Sequence, residues 1–319
     1  MPHFLAMALS SVKIPASADS ATIEVDGRKL ALTNLNKVFW PDLGLTKRDL
    51  LQYYADVAPV LLPHIRGKAM VMKRYPNGIS GDFFFMKRAP SSRPDWIETC
   101  AIVHGSGNVI DFPMAQDLSS LLWLINLGCI DLNPWYGRCE TSDQPEYLHF
   151  DLDPQQAPFE AVREAALIVN DALTALGMTV FAKTSGSKGM HLYIAIKHGP
   201  KQHDVWAFAK RFAFELAKAH GDILTSEYKI EKRPRGRVLI DYNQNRLGAT
   251  LASIYSVRPT PQASVSAPLT WKEVEAGAQP ADFTMKNVPK RVAKIGDLWE
   301  PLTQKKGRFD LEALMGIAR

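Results

Sequence analysis

Short alternating runs and longer helical spacings of apolar residues define the elements of this chain. Residues 21–32 alternate around an Asp26-Gly27 turn and predict a β-hairpin. Thr46 can cap a helix, because apolar residues recur after it at helical spacing up to Leu61. The other elements expected in this half are a strand over 69–76, a second hairpin over 101–112 and a buried helix over the mostly apolar residues 118–130.

Strands and helices interleave more regularly in the second half. Residues 159–176 and 205–220 have the apolar spacing of helices, and short helices are expected near Trp271 and Val288. Strands are predicted for EYLHFDLDP, TVFAKTSG, HLYIAIK, RVLIDY and ATLASIYSVRP. Together with the hairpins, this order indicates an α/β or α+β fold with mixed sheets.

Length and composition describe a folded protein of substantial size. The chain has 319 residues, of which 46% are hydrophobic, which excludes a disordered chain. We expect a flexible tail over residues 1–20 and a single domain over residues 21–319. No apolar run approaches the roughly 20 residues that cross a bilayer, and the N-terminus lacks the basic start of a signal peptide. A cytoplasmic location without membrane contact is therefore expected.

Basic charge is concentrated in two stretches. The chain has 38 Lys and Arg against 33 Asp and Glu, a net charge of +5. Residues 66–93 contain seven basic residues and one acidic residue, a net of +6, and residues 183–246 contain 13 basic and six acidic residues, a net of +7. This concentration favours a phosphate-binding surface, with solvated surface charge as the alternative.

Two carboxylates end an apolar strand. Asp151 and Asp153 are two residues apart, so both lie on one face of the strand. Anionic groups this close repel unless a divalent cation lies between them, although polar turn residues before Pro154 would show the same spacing. Asp241 ends a second apolar strand and completes a set of three if the two strands are neighbours. Three carboxylates beside a basic surface indicate phosphoryl or nucleotidyl transfer with two metal ions.

A glycine- and serine-rich connection, KTSGSKGMH at 183–191, links two predicted strands. Its glycines let successive backbone N–H groups turn towards an anion, and Ser185, Lys188 and His191 add side-chain donors. A strand follows it and GK[ST] is absent, so it is not the phosphate loop that precedes a helix. The connection predicts phosphate binding, with a plain hairpin turn as the alternative.

These motifs resemble a known family. HFDLDP, KTSGSKGMHLYIAI and RVLIDYNQN with ATLASIYSVRP, in this order, resemble the primase-polymerase domain of bacterial ligase D, in the archaeo-eukaryotic primase superfamily. The resemblance runs from about Thr33 to Trp271. It implies a primase-like fold, with mixed sheets flanked by helices around a catalytic cleft, and one catalytic domain over residues 21–319.

The resemblance also implies ligands for the motif residues. Asp151, Asp153 and Asp241 match the family's catalytic ligands for two divalent cations, Mn²⁺ or Mg²⁺. Contacts to the incoming NTP or dNTP are implied for Lys73, Ser185, Lys188, His191, Gln244 and Arg258. Two positions depart from the family pattern: Asn133 replaces a histidine of many relatives, and Gln244 replaces an arginine of some, so it cannot neutralise a phosphate.

DNA contacts are implied in the first half of the chain. Phe84 and Phe85, with Lys87 beside them, match a pair that stacks on the template, an attachment worth roughly 1–3 kcal/mol per base. Strand alternation nevertheless leads us to expect at least one residue of the Phe83–Phe85 run in the core. Lys37 and Lys47 match two lysines that recognise a 5′-phosphate at a gap in end-joining relatives.

The resemblance implies a template-dependent nucleotidyltransferase that extends a primer 3′-hydroxyl in gap filling or break repair, with a preference for ribonucleotides. One alternative is a primase that starts chains de novo on single-stranded DNA. Another is a non-catalytic protein that binds 5′-phosphorylated DNA ends. The expected partners are gapped, broken or primer-template DNA and a separate ligase or Ku protein. We expect a monomer in the bacterial cytoplasm, associated with the nucleoid when bound to DNA.

Overall fold

The computed structural model describes residues 12–103 and 107–316 and divides the chain into two compact units. Unit 1 takes the residues up to Trp135 with Ala252–Val265 and Phe283–Asp297. Unit 2 takes Tyr136–Leu251, Ser266–Asp282 and the residues from Leu298 onward. The single catalytic domain expected over 21–319 stays a prediction.

Helices and sheets occur in both units, which confirms the expected mixed α/β class. The α-helices are α1 Lys47–Ile65, α2 Leu118–Asn126, α3 Phe159–Ala175, α4 Gln202–Ala219, α5 Trp271–Glu275, α6 Val288–Ile295, α7 Glu300–Thr303 and α8 Leu311–Met315. The strands are β1 Ala21–Val25, β2 Arg28–Leu32, β3 Val38–Trp40, β4 Leu45–Thr46, β5 Met70–Arg74, β6 Phe84–Met86, β7 Thr99–Val103, β8 Val109–Pro113, β9 Cys129–Pro134, β10 Tyr147–Gln155, β11 Phe181–Thr184, β12 Met190–Ala195, β13 Leu224–Thr225, β14 Arg237–Asp241 and β15 Pro268–Leu269. Among the described residues, none of the helices is long and apolar enough to span a membrane.

Unit 1 combines three helices with small antiparallel sheets. Strand β5 lies between β6 and β9, and β1–β2, β3–β4 and β7–β8 form separate two-stranded pairs. Helix α1 begins with the expected cap, because the Thr46 N–H and hydroxyl both donate to the Asp49 carboxylate at 2.7 Å. Its apolar side chains are buried, and it contacts α2 and α6.

Two predicted elements differ from the structure. The helix expected over 118–130 ends at Asn126, because Gly128, with φ of 81°, turns the chain into β9. The strand expected over 249–259 does not form, since Tyr255 takes a left-handed φ of 60° that interrupts an extended run.

Part of the predicted tail is packed. The Ile14 N–H donates to Gln52 of α1 at 2.9 Å, and the Arg48 guanidinium donates to the Ala18 carbonyl at 2.8 Å. Ile14 is also buried. Residues 12–18 are therefore held by α1, while residues 1–11 of the predicted tail lie outside the described residues.

Unit 2 is built on a six-stranded sheet in the order β13-β14-β10-β12-β11-β15. Strands β13 and β14 are parallel, and all other neighbours are antiparallel. Helices α3 and α4 contact this sheet, and Phe150 of β10 packs on Phe212 of α4 with ring centroids 5.1 Å apart. Because side chains alternate along β10, Leu152 shares the helix-covered face with Phe150, and Asp151 and Asp153 lie on the opposite face.

Gly189 brings the 183–191 connection against β10. A Cβ built at this residue would lie 2.1 Å from the Leu152 carbonyl oxygen, closer than any real contact. The Gly189 N–H donates to the Ser185 hydroxyl at 3.0 Å, so the connection closes on itself at the same point. The connection can lie on the carboxylate-bearing strand because residue 189 has no side chain.

Replacing Gly189 with Ala should therefore displace the connection from β10. We expect the free energy of unfolding, measured by urea denaturation, to fall by about 1–3 kcal/mol, the usual cost of overpacking. Gly221→Ala is the matched control, because its Cβ would meet only the Ala217 carbonyl oxygen, at 3.3 Å. An equal decrease in the free energy of unfolding in the two variants would show that the approach of residue 189 to the Leu152 carbonyl does not require glycine.

Candidate active site

A row of charged and polar residues crosses the sheet of unit 2. Strand register pairs Lys183 of β11 with His191 of β12, and His191 with Asp151 of β10. On the other side of β10, Asp151 is paired with Asp241 of β14. Directly opposite residues in antiparallel strands have Cβ atoms about 5 Å apart, so the row brings two predicted carboxylates and the predicted histidine together. The expected adjacency of the two acidic strands is confirmed.

Asp241 is the buried member of the carboxylate set. Burial raises its pKa, and the charge of Asp151 raises it further. Hydrogen bonds from the Asn243 N–H at 2.8 Å and the Gln244 side-chain amide at 3.0 Å lower it. Gln244, which the resemblance assigns to the nucleotide, therefore donates to a carboxylate of the site.

Asp153 is more accessible, with a side chain 54% exposed. Burial and the charge of Asp151 raise its pKa, while the charges of Arg233 and Lys188 lower it. The Arg233 guanidinium, 3.9 Å from the Asp153 carboxylate, is only 6% exposed. Arg233 is a site residue that the sequence prediction missed, and the only signal for it was the basic run KRPRGR before β14.

The carboxylates suit a divalent cation by charge and by donor type. Burial raises the pKa values of Asp153 and Asp241, and the charge of Asp151 raises them further; a cation between the carboxylates would relieve the repulsion. Carboxylate oxygens are the donors preferred by Mg²⁺ and Mn²⁺. As they stand, the described residues contain no group of three or more His, Cys, Asp or Glu side chains close enough together to hold a metal ion.

The predicted phosphate-binding connection is ordered by its own serine. The buried Ser185 hydroxyl accepts hydrogen bonds from the N–H groups of Ser187 at 3.1 Å and Gly189 at 3.0 Å. Lys188, at the tip, is exposed. Ser185 thus shapes the loop, and Lys188 supplies a solvent-facing charge.

Lys183 is the second site residue that the sequence prediction did not name. Its side chain is buried, and its Nζ lies 2.7 Å from Nδ1 of His191. The other ring nitrogen of His191, Nε2, lies 3.3 Å from the Asp151 carboxylate. The signal was available in the hairpin, because a turn centred on Ser187 pairs residue 183 with residue 191.

In unit 1, Lys73 and Arg258 share one acidic neighbour. The Arg258 guanidinium lies 3.2 Å from the carboxylate of Asp131, which is buried. Burial lowers the pKa of Lys73, the Asp131 charge raises it and the Arg258 charge lowers it. Asn133, at the position of the family histidine, donates to the Asp131 carbonyl at 3.1 Å and to its carboxylate at 3.3 Å.

All three phenylalanines of the 83–85 run are accessible, with exposed fractions of 50%, 46% and 59%. The expectation that one of them lies in the core is wrong, because Phe83 packs on Tyr75 at the surface and Lys73 lies 4.0 Å from the Phe83 ring centroid.

Phe84 and Phe85 line a cavity of about 640 Å³. Its charged lining residues are Arg74, Lys87, Arg88, Arg93 and Asp111. This surface combines apolar rings with a net positive charge, as single-strand binding requires.

Lys37 and Lys47 line one cavity of about 300 Å³, together with Arg74. Lys37 is exposed and donates to the Pro76 carbonyl at 2.8 Å, whereas Lys47 is buried and donates to the Thr33 carbonyl at 2.6 Å. Burial, together with the charges of Lys37 and Arg74, lowers the pKa of Lys47 to about 8. Arg74, also missed from the sequence, lines both this cavity and the aromatic one.

Comparisons with known proteins point to one family. A family model described as the LigD primase-polymerase domain matches residues 46–299. The multifunctional non-homologous end joining DNA repair protein LigD of Mycobacterium tuberculosis is 34% identical over 284 residues, which cover 86% of this chain and 37% of that protein. The bifunctional non-homologous end joining protein LigD of Bacillus subtilis is 32% identical over 270 residues, which cover 84% of this chain and 43% of that protein.

A solved structure is similar over almost its whole length. The polymerase domain of Mycobacterium tuberculosis ligase D in complex with DNA matches with a TM-score of 0.80 and 31% identity, covering 86% of this chain and 98% of that one. The chain thus spans well under half of the curated relatives it matches but nearly all of this polymerase domain.

Asp241→Asn should stabilise the cation-free protein at neutral pH. A carboxyl whose pKa is raised by folding costs free energy when it is charged, so the gain over wild type should shrink as acid protonates Asp241. Urea denaturation between pH 7 and pH 4 measures this difference.

Added MgCl₂ or MnCl₂ should raise the melting temperature of wild type more than that of Asp241→Asn, because a ligand of the folded state stabilises it. Asp222→Asn, which changes an exposed carboxylate of unit 2, should behave as wild type. An Asp241→Asn variant with wild-type stability and the same response to cations would contradict the carboxylate site.

Proposed function

The chain belongs to the LigD primase-polymerase family, and from that premise we propose that it is a template-dependent nucleotidyltransferase of DNA repair. It extends a primer 3′-hydroxyl across a gap or a broken end. The observation that carries the proposal is the pairing of Asp151 with both Asp241 and His191 on one face of the unit 2 sheet. Two relatives named for non-homologous end joining support a role in that pathway.

The carboxylates of Asp151, Asp153 and Asp241 would hold two divalent cations, which when bound supply Lewis acidity at the attacking hydroxyl and offset charge on the triphosphate. Lys188 adds an exposed positive charge at the loop tip, and His191 adds a donor beside Asp151. Ser185 keeps the loop in shape by accepting two of its N–H groups. These preorganised cationic and donor groups stabilise the charge that develops on the phosphate oxygens.

We assign the nucleic-acid contacts to unit 1. Phe84 and Phe85, with Lys87 beside them, would stack on the template, since nearly half or more of each ring is accessible. Lys73 and Arg258 would reach the nucleotide. NTPs are the proposed preferred substrates over dNTPs, and a separate ligase and a Ku protein are the proposed partners.

We assign the Lys37–Lys47 cavity to the 5′-phosphate at a gap. Three basic residues, including Arg74, line it; burial lowers the pKa of Lys47, and repulsion from Lys37 and Arg74 adds to that shift. A dianionic phosphate would relieve that repulsion, so the cavity favours a phosphorylated end over a hydroxyl end.

Asp153→Ala should abolish primer extension while leaving the fold intact. We expect a loss of about 100-fold or more, the scale of removing one charge-stabilising group from an active site. The assay is extension of a 5′-phosphorylated gapped duplex, with ribo- and deoxyribonucleotides compared in Mg²⁺ and Mn²⁺. Single-stranded template without a primer tests de novo synthesis in parallel. Asp222→Ala is the control, and normal extension by Asp153→Ala would refute the assignment.

The preference for a 5′-phosphate should weaken as pH rises from 7 to 9. The pKa of Lys47 is about 8, so about a tenth of this lysine stays charged at pH 9, and the preference should fall by up to about tenfold. This preference is measured by fluorescence anisotropy at constant ionic strength, by comparing binding to phosphorylated and unphosphorylated gaps.

Lys47→Met should have a weaker preference that no longer depends on pH over this range. Lys197→Met, which removes an exposed lysine of unit 2, should keep the wild-type profile. A flat wild-type profile would show that Lys47 does not contact the phosphate.

A further inference from the structure

Lys183 is fixed on both sides within the unit 2 sheet. Its side chain is only 1% exposed, and its Nζ lies 2.5 Å from the Ser266 hydroxyl oxygen and 2.7 Å from Nδ1 of His191. Ser266 donates its own hydrogen to the Thr184 carbonyl at 2.8 Å, so its oxygen accepts from Lys183. The ammonium is therefore held in place beside the imidazole ring.

The chemistry of this contact decides which ring nitrogen carries the proton. In its ammonium form Lys183 has three N–H donors and no lone pair, so that form leaves Nδ1 of His191 as the acceptor of their 2.7 Å contact. A neutral imidazole has a single N–H, which is then on Nε2. The ring is buried, with a side chain 3% exposed, and Nε2 lies 3.3 Å from the Asp151 carboxylate, which accepts such a proton.

The hydrogen bond at Nδ1 runs in the opposite direction to the one usually found at a metal-bound histidine. There the outer nitrogen donates to a carboxylate or a carbonyl, which leaves a lone pair for the metal on the other nitrogen. Here the partner of the outer nitrogen is a cation that can only donate. A protonated Nε2 has no lone pair in the ring plane for a cation, but it can donate to an oxyanion.

We propose that Lys183 is a positioning residue that keeps the proton of His191 on Nε2, so that His191 serves as a hydrogen-bond donor and not as a metal ligand. The oxyanion it serves is a carboxylate or phosphate oxygen beside Asp151. The catalytic consequence rests on the proposed nucleotidyl transfer, whereas the tautomer itself does not.

The direct test is NMR of the full chain labelled with ¹⁵N-histidine, free of cations, DNA and nucleotide. Long-range ¹H–¹⁵N correlations report which ring nitrogen is protonated, and loss of signals in His191→Asn assigns the ring. We expect a protonated Nε2 and an unprotonated Nδ1, unchanged on addition of MgCl₂. A protonated Nδ1, or an Nε2 that loses its proton when Mg²⁺ is added, would overturn the proposal whether or not a Lys183 variant folds.

Lys183→Met removes the donor and supplies the second readout. In this variant, His191 should no longer be held in the tautomer with the proton on Nε2. The kcat for primer extension should fall by about 10–100-fold, the usual effect of removing such an orienting partner. Lys197→Met should keep both the tautomer and kcat. A Lys183→Met variant with the Nε2 proton and wild-type kcat would refute the role. An inactive wild type would contradict the proposed nucleotidyl transfer but not the tautomer.

Discussion

Strand β10 is hydrogen-bonded on both sides, and its register with β12 and β14 determines which side chains meet on the sheet. Asp151 is opposite His191 on one side and Asp241 on the other. A slip of one residue would turn Asp151 and Asp153 to the helix-covered face, where Phe150 packs on Phe212. The apolar face of β10 therefore holds the polar face in register, and burial there stabilises the arrangement of charges on the other side.

The row across this sheet runs from positive to negative charge. At one end Lys183 is buried among hydrogen-bond acceptors, and at the other Asp241 is buried beside a second carboxylate. The raised pKa values of Asp153 and Asp241 show that the acidic end is destabilised as it stands. A positively charged ligand at this end of the row, such as the proposed divalent cations, would remove part of that cost.

Unit 1 shows a different balance, because basic residues outnumber acidic ones in the lining of the two cavities described above. Arg74 lines the cavity with Lys37 and Lys47 and also the cavity with the exposed phenylalanines. Three adjacent aromatic rings, each about half exposed, form the kind of apolar surface that marks a binding site in a folded protein. Cationic cavities next to accessible rings suit a strand of nucleic acid, which presents phosphates and flat bases together.

Local sequence was enough for the long helices α1, α3 and α4 and for the face of β10 on which each side chain lies. Alternation along 146–154 placed Asp151 and Asp153 on one face, and the cap and spacing after Thr46 identified α1. The motifs also singled out the 183–191 loop, which lies against β10, because its glycines and donors are consecutive in the chain. Local pattern failed where a backbone reversal was hidden in an apolar run, as at Tyr255.

Tertiary structure alone decided the partners. The hairpin register places Lys183 opposite His191, but its second contact, with Ser266, comes from a segment 83 residues further along the chain. Arg74 and Arg233 were two members of basic runs until folding brought Arg74 to the cavity with Lys37 and Lys47, and Arg233 to Asp153. A residue's face follows from the geometry of its own strand or helix, but its neighbours depend on which distant segments pack beside it, and no local pattern contains that information.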